Sequence, residues 1–241
     1  MKKSMIAAVI GLAIGLGSAS EGRADERSWA WSPLGIGLAA PIQLPYMNTD
    51  IYGLRLDGFL GVNQDVYGLD AGLVDITRGD FAGLQVSAFG WTAGNAYGLQ
   101  LGAIANVVDA KAYGLELGLF NTVWNEAVGC QFGLVNHNVT FTGCQIGAAL
   151  NWNSSTSCGF QLGLVNADRA DFTGCAMGLI NYSANTLTGL ELGLANVAAD
   201  VRGCQIGLFN ACEHMQGVQL GLFNLIANAK LPIMVIGNAS F

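Results

Sequence analysis

Charge is what this sequence most lacks. Asp, Glu, Lys and Arg make up 11% of its 241 residues, where an ordinary soluble domain carries about 25%. The basic sign is the scarcer one, with 10 Lys and Arg against 17 Asp and Glu. Nucleic-acid binders carry basic patches to meet phosphates, so that class is excluded. Histidine is nearly absent: His137 and His214 both fall in connecting segments, read as solvated, and provide no ligand set for zinc. The six cysteines contain no CxxC pair, and no GxSxG stretch offers a nucleophile elbow. Hydrophobic residues nevertheless reach 52%. The chain is short of the groups that keep a surface wet.

The first 24 residues read as an export signal. Lys2 and Lys3 give a positive start, Met5 to Leu16 a short apolar stretch, and Gly17 to Ala24 a small-residue cleavage region. The apolar stretch is too short and too rich in glycine to span a membrane as a helix. Cleavage after Ala24 is favoured over Ala19, because Gly22 and Ala24 are small at the two positions a signal peptidase reads. The mature chain would keep seven basic and sixteen acidic residues, a formal charge of −9. No cysteine lies near the cut to accept a lipid.

What the chain does have is repetition. A unit Gly-Leu-Gln-Leu-Gly-Leu-(Val/Phe)-Asn recurs twelve times, every 14 to 16 residues, over 53–224. The units start at Gly53, Gly68, Gly83, Gly98, Gly114, Gly129, Gly143, Gly159, Gly174, Gly189, Gly203 and Gly217. Repetition of this kind decides a fold before anything else does. Counting the first glycine as position 1, positions 2, 4 and 6 are apolar, which is the alternation of a β-strand and not of a helix. Gly and Asn bracket each strand as turn formers. The chain is therefore read as an all-β repeat protein.

Two architectures use such units. A parallel solenoid makes each repeat one coil and stacks identical residues, and the asparagines at 106, 121, 136, 151, 166, 181, 196, 210 and 224 could then form a ladder. An up-and-down antiparallel barrel makes each repeat one strand. Three observations favour the barrel. An eight-residue strand spans about 26 Å, which leaves the remaining residues little length to return. Connectors alternate, with Trp91, Trp124, Trp152 and Tyr182 after odd repeats and charges such as Asp75, Arg78, Asp80, Asp109, Lys111, Asp168, Arg169 and Asp171 after even ones. The extended ends at 34–44 and 231–241 offer no caps, although an open solenoid end would expose a strand edge. The expected fold is a closed barrel of about 14 strands, the alternative a parallel solenoid of about 12 coils. Residues 25–52 would supply the first strand and 225–241 the closing one.

The repeated Gly-Leu-Gln-(Ile/Leu)-Gly-Leu-x-Asn units, the lead-in Ile51-Tyr52-Gly53-Leu54-Arg55-Leu56 and the closing Leu231-Pro232-Ile233-Met234 with terminal Phe241 resemble the bacterial surface-repeat proteins first described in leptospires. The resemblance implies an exported, envelope-associated protein with no defined biochemistry. Some relatives are lipoproteins, and this chain lacks their acceptor cysteine.

Little chemistry is on offer. Cys130, Cys144, Cys175 and Cys204 stand at position 2, where leucine usually stands, and Cys158 and Cys212 lie in connectors. An even count in an exported chain makes disulfides conceivable, but small thiols on the apolar face are the simpler reading. No cofactor, metal or catalytic site is expected. The candidate functional residues are the charged ones opposite the leucines: Arg55, Asp57, Asp70, Glu116 and Glu191. In a barrel they would line the lumen and give a weak cation preference; in a solenoid they would lie on the wet face. The expected function is a non-enzymatic outer-membrane protein with a passive pore or structural role, in the outer membrane or at the cell surface of a Gram-negative-type bacterium. The alternative is a secreted or surface-attached solenoid that binds a partner. The membrane is the expected partner, with small solutes or a surface partner unspecified.

Overall fold

The computed structural model describes residues 31–240; the expected export signal and Phe241 lie outside the described residues. The described chain is all β, 82% strand and without a helix. After β1 (Trp31–Ala39), β2 (Ile42–Leu44) and β3 (Asp50–Asn63), one repeat shows how a coil is built. β4 (Val66–Ala71) runs straight, the chain bends at Gly72 and Leu73, and β5 (Val74–Thr77) leads into the Arg78-Gly79-Asp80 connector. The next coil then starts beside the first, with Phe81 paired to Val66 and Gly83 to Gly68.

The pairings between successive strands from β3 to His214–Ile226 are parallel and keep equivalent repeat positions side by side, with local register shifts such as Ser87/Phe89 and Gly102/Ala105 near the corners. Gly53 pairs with Gly68, Gly98 with Gly114, Gly143 with Gly159 and Gly203 with Gly217. The molecule is a parallel β-solenoid of about 13 turns, not the expected barrel. At the usual strand spacing, the stack is roughly 60 Å long. The reason the reach argument fails is the corner. The eight-residue unit is not one strand but two, folded around positions 5 to 7, so the coil closes without a long return. Gly178-Leu179, Gly193-Leu194 and Gly207-Leu208 sit at the same corner in later coils. In the middle of the stack, the extended backbone continues through the corners from Lys111 to Asn153.

The connectors do not alternate between two rims either. The Asp80 amide donates to Asp65 Oδ1, and the Asn95 amide to Asp80 Oδ1, both at 2.7 Å. Three consecutive connectors thus stack on one edge, so their alternating character does not mark two ends of a barrel, and the expected lumen does not exist.

The repeat glycine has a steric cause. All twelve have φ between 119° and 148°, a region that L side chains avoid. A Cβ at Gly129 would run into the carbonyl oxygen of Gly114 in the preceding coil. Both ends of the stack carry further strands: β1 adds in parallel to β3 with β2 folded back on it, and Ile233–Ser240 covers His214–Ile226 in antiparallel fashion. The ends are therefore capped, contrary to expectation.

Candidate functional site

The alternation along each strand is turned inside out. Position 3, the glutamine column, points inwards: Gln85, Gln145, Gln161, Gln205 and Gln219 are fully buried. Position 6 points outwards: Leu119, Leu134, Leu164, Leu179, Leu194, Leu208 and Leu222 are 42–51% exposed. Among the described residues, 33 buried side chains are polar or charged and 20 apolar, so hydrogen bonding carries much of this interior. The apolar part is mainly a column two residues before the repeat glycines, including Ile51, Val66, Phe81, Phe141, Phe172 and Leu187, with a second two residues after the asparagines, including Val108, Val123, Ala198 and Ile226.

Burying amides is costly unless each finds a partner, and coil spacing supplies one. The nine asparagines from Asn106 to Asn224 form an unbroken ladder in which each Nδ2 donates to the next Oδ1 at 2.8–2.9 Å. Asn106, Asn121, Asn151, Asn166, Asn181, Asn196 and Asn210 also donate to a carbonyl of the following coil. The ladder ends where Gly90 replaces asparagine, which leaves Asn106 Oδ1 unpartnered.

The glutamine column donates the other way, towards the N-terminus, and each run ends on an acid. Gln100 donates to Gln85 and Gln85 to Asp70; Gln145 donates to Gln131 and Gln131 to Glu116; Gln219 donates to Gln205 and Gln205 to Glu191. An acid ends a run because it has no amide hydrogen to pass on. Gln100 Oε1, opposite Glu116, lacks a partner for this reason, and Gln161 Oε1 lacks one because Ala176 opposite it has no amide. Burial pushes the Glu116 carboxyl up to about 7 against the hydrogen bond from Gln131. It does the same to Glu191, against bonds from Gln205 and Ser183.

Arg55, Asp57 and Asp70 meet in the first two coils. Arg55 donates to both oxygens of Asp70, at 2.6 Å each, and lies 3.5 Å from Asp57 and 4.0 Å from Asp75. Burial works against the guanidinium charge, but Asp70 and its acidic neighbours hold its pKa above the ordinary value. Burial raises Asp57 despite Arg55, and pushes Asp75 up to about 8, with Asp70 adding to the effect. All five residues singled out from sequence therefore lie inside, Arg55, Asp57 and Asp70 together and Glu116 and Glu191 apart. They line neither a lumen nor a wet face. Asp75 and Asp168, which the sequence groups with the connector charges, are both buried as well. Their repeat positions show why: Asp75 takes the asparagine place, and Asp168 stands in register with the inward Asn153.

The outer surface divides sharply. Of the charged residues within 31–240, seven point inside: Arg55, Asp57, Asp70, Asp75, Glu116, Asp168 and Glu191. Lys230 follows the last coil, and the rest stand on the connector edge or immediately beside it. None occupies the outward columns at positions 2, 4, 6 and 7. Aromatic residues border the two zones. Tyr52 stacks on Tyr67 with centroids 4.9 Å apart, and Tyr97 on Tyr113 at 5.3 Å, along the first strand beside the connectors. Trp91, Trp152 and Tyr182 border the connectors on the second strand, where Arg169 lies over the Trp152 ring. The cysteines are free, and Cys130, Cys144, Cys175 and Cys204 sit half-buried in the outward position 2.

No family model, curated protein or solved structure matches the chain.

Proposed function

We propose that this chain is an exported, non-enzymatic β-solenoid that lies on a membrane and displays its connector edge as a binding face. The carrying observation is the division of the outer surface. A charge-free apolar corner runs the length of the stack, opposite an edge that holds nearly all the outward charges. Monomeric soluble proteins rarely expose apolar patches beyond a few hundred Å². Positions 2 to 6 extend about 13 Å along the first strand, close to one leaflet of a hydrocarbon core about 30 Å thick. Tyr and Trp at the boundary suit the bilayer interface. The setting we assign is the outer membrane or cell surface of a Gram-negative-type bacterium, in keeping with the signal-like N-terminus and the surface-repeat resemblance.

Flotation with phosphatidylcholine vesicles tests this. The mature chain should float with vesicles, and high salt should not release it, since apolar burial is not screened. Replacing Leu134, Leu164 and Leu194 together by Glu should abolish flotation while leaving the β-sheet circular dichroism intact. A wild-type protein that stays in solution as a monomer would refute the reading; a soluble dimer would show instead that a second copy covers the corner.

A further inference from the structure

Three carboxylates, Asp57, Asp70 and Asp75, bring one oxygen each to within 4.8 Å of one another inside the first two coils. Proximity of acids alone marks nothing, but two further observations do. Asp75 is fully buried, and neither of its oxygens accepts a hydrogen bond; the same holds for Asp57 Oδ2. Thr77, fully buried two residues along the same inward face as Asp75, has an unpartnered hydroxyl. Arg55 gives its hydrogen bonds to Asp70, the Ile76 carbonyl and Asn63, and meets Asp57 and Asp75 only as longer ion-pair contacts at 3.5 and 4.0 Å. With all three carboxylates ionised, one guanidinium leaves an excess of two negative charges in a buried cluster. Unpaired buried charge is among the most costly features a fold can hold.

We propose that Asp57, Asp70 and Asp75 hold a calcium ion in the solenoid interior. A divalent cation cancels the excess charge, and an all-oxygen donor set suits a hard ion. Coordination habit separates the two common candidates: magnesium keeps several of its waters and is seldom held by an all-protein cage, whereas calcium takes six to eight oxygens in flexible geometry. A buried site of protein carboxylates therefore suits calcium. Thr77 Oγ1, buried without a partner on the same inward face, is a neutral side-chain oxygen offered to complete the set. The ion ties the first repeat to the second through side chains, at the end of the stack where the asparagine ladder does not reach. A site of this kind acts as a clamp on the N-terminal coils and stands independently of how the outer surface is used.

The test uses the full mature chain, stripped with EDTA and titrated with calcium chloride alone. Calorimetry should find one calcium per chain, with a Kd in the millimolar range or tighter, as in extracellular modules at about 10⁻⁴–10⁻³ M. At a hundredfold excess over Kd, the thermal midpoint should rise by about 5–10 °C, and magnesium should give a smaller shift. Asp75→Asn keeps the side-chain shape, removes one charge and should abolish the calcium-dependent shift without loss of β-sheet signal. Asp57→Asn should do the same. Wild-type protein that binds no stoichiometric calcium, with equal midpoints in EDTA and in calcium, would overturn the proposal and assign the neutralisation to protons. A folded Asp75→Asn that retained the shift would overturn it too. Should neither variant fold, the wild-type titration decides alone.

Discussion

Replacing Glu116 by Gln should stabilise the protein, and the gain should depend on pH. Glu116 accepts from Gln131 through Oε2, while its Oε1 and Gln100 Oε1 in the preceding coil are both buried without a donor. Two acceptors meet where the column needs a donor between them. Burial raises the folded pKa from 4.5 to about 7, so the native state holds a proton that the unfolded chain releases. For a carboxyl raised in this way, stability is full below the unfolded pKa and declines as pH rises towards and past the folded one. Glutamine does not titrate, and its Nε2 can donate to Gln100 Oε1 as the protonated acid does. Linkage then gives Glu116→Gln an advantage of about 3 kcal/mol at pH 8 and about 1 kcal/mol at pH 5. The other buried acids are common to both proteins and cancel in the difference. Urea unfolding of both proteins at the two pH values, followed by circular dichroism, measures it. A variant less stable than wild type at pH 8, or an advantage equal at both pH values, would refute the reasoning.

Other substitutions probe the remaining columns. Gly129→Ala forces a side chain into φ 135° against the Gly114 carbonyl and should cost at least about 3 kcal/mol, read as a lower urea midpoint. Asn166→Ala strands the Asn151 donor and the Asn181 acceptor inside the ladder and should cost about 2–4 kcal/mol by the same assay. Leu179→Ser, on the outward corner, should change stability by no more than about 0.5 kcal/mol. Leu187→Ala, in the buried apolar column, should cost about 2–5 kcal/mol; similar effects for the two leucines would contradict the assigned facing.

The repeat and its all-β character are legible in the sequence, because both rest on local periodicity, and the aligned asparagines already mark the ladder that the solenoid alternative requires. Which side of the strand faces inwards is not. Alternation says that Leu117 and Leu119 share a face and that Glu116 does not; it does not say which face is wet. The usual assignment puts leucine inside, and it fails because in-register stacking gives Gln145 or Asn166 a partner in the adjacent coil that no isolated strand offers. The glycine at position 5 hides the corner, since Gly72 and Gly178 look like strand interruptions and not like the place where the coil turns. Alternating connectors suggest two rims, although Asp65, Asp80 and Asn95 stack on one. Asp75 reads as a connector charge, yet its alignment with the asparagine position already points inwards.

The central claim, that amide columns fill the interior and leucine columns form the exterior, can be tested within one coil. In a background with all six native cysteines replaced, single cysteines go to Ala176, which stands in the glutamine column, and to Leu179 at the corner. Ala176 is 2% exposed and Leu179 47%, and alanine to cysteine is a small change in volume. Maleimide labelling of the folded protein should modify Leu179→Cys within the mixing time and Ala176→Cys only at the rate of global unfolding. Rapid labelling of Ala176→Cys with protection of Leu179→Cys would put the leucines inside and the amides outside, the reverse of the claim.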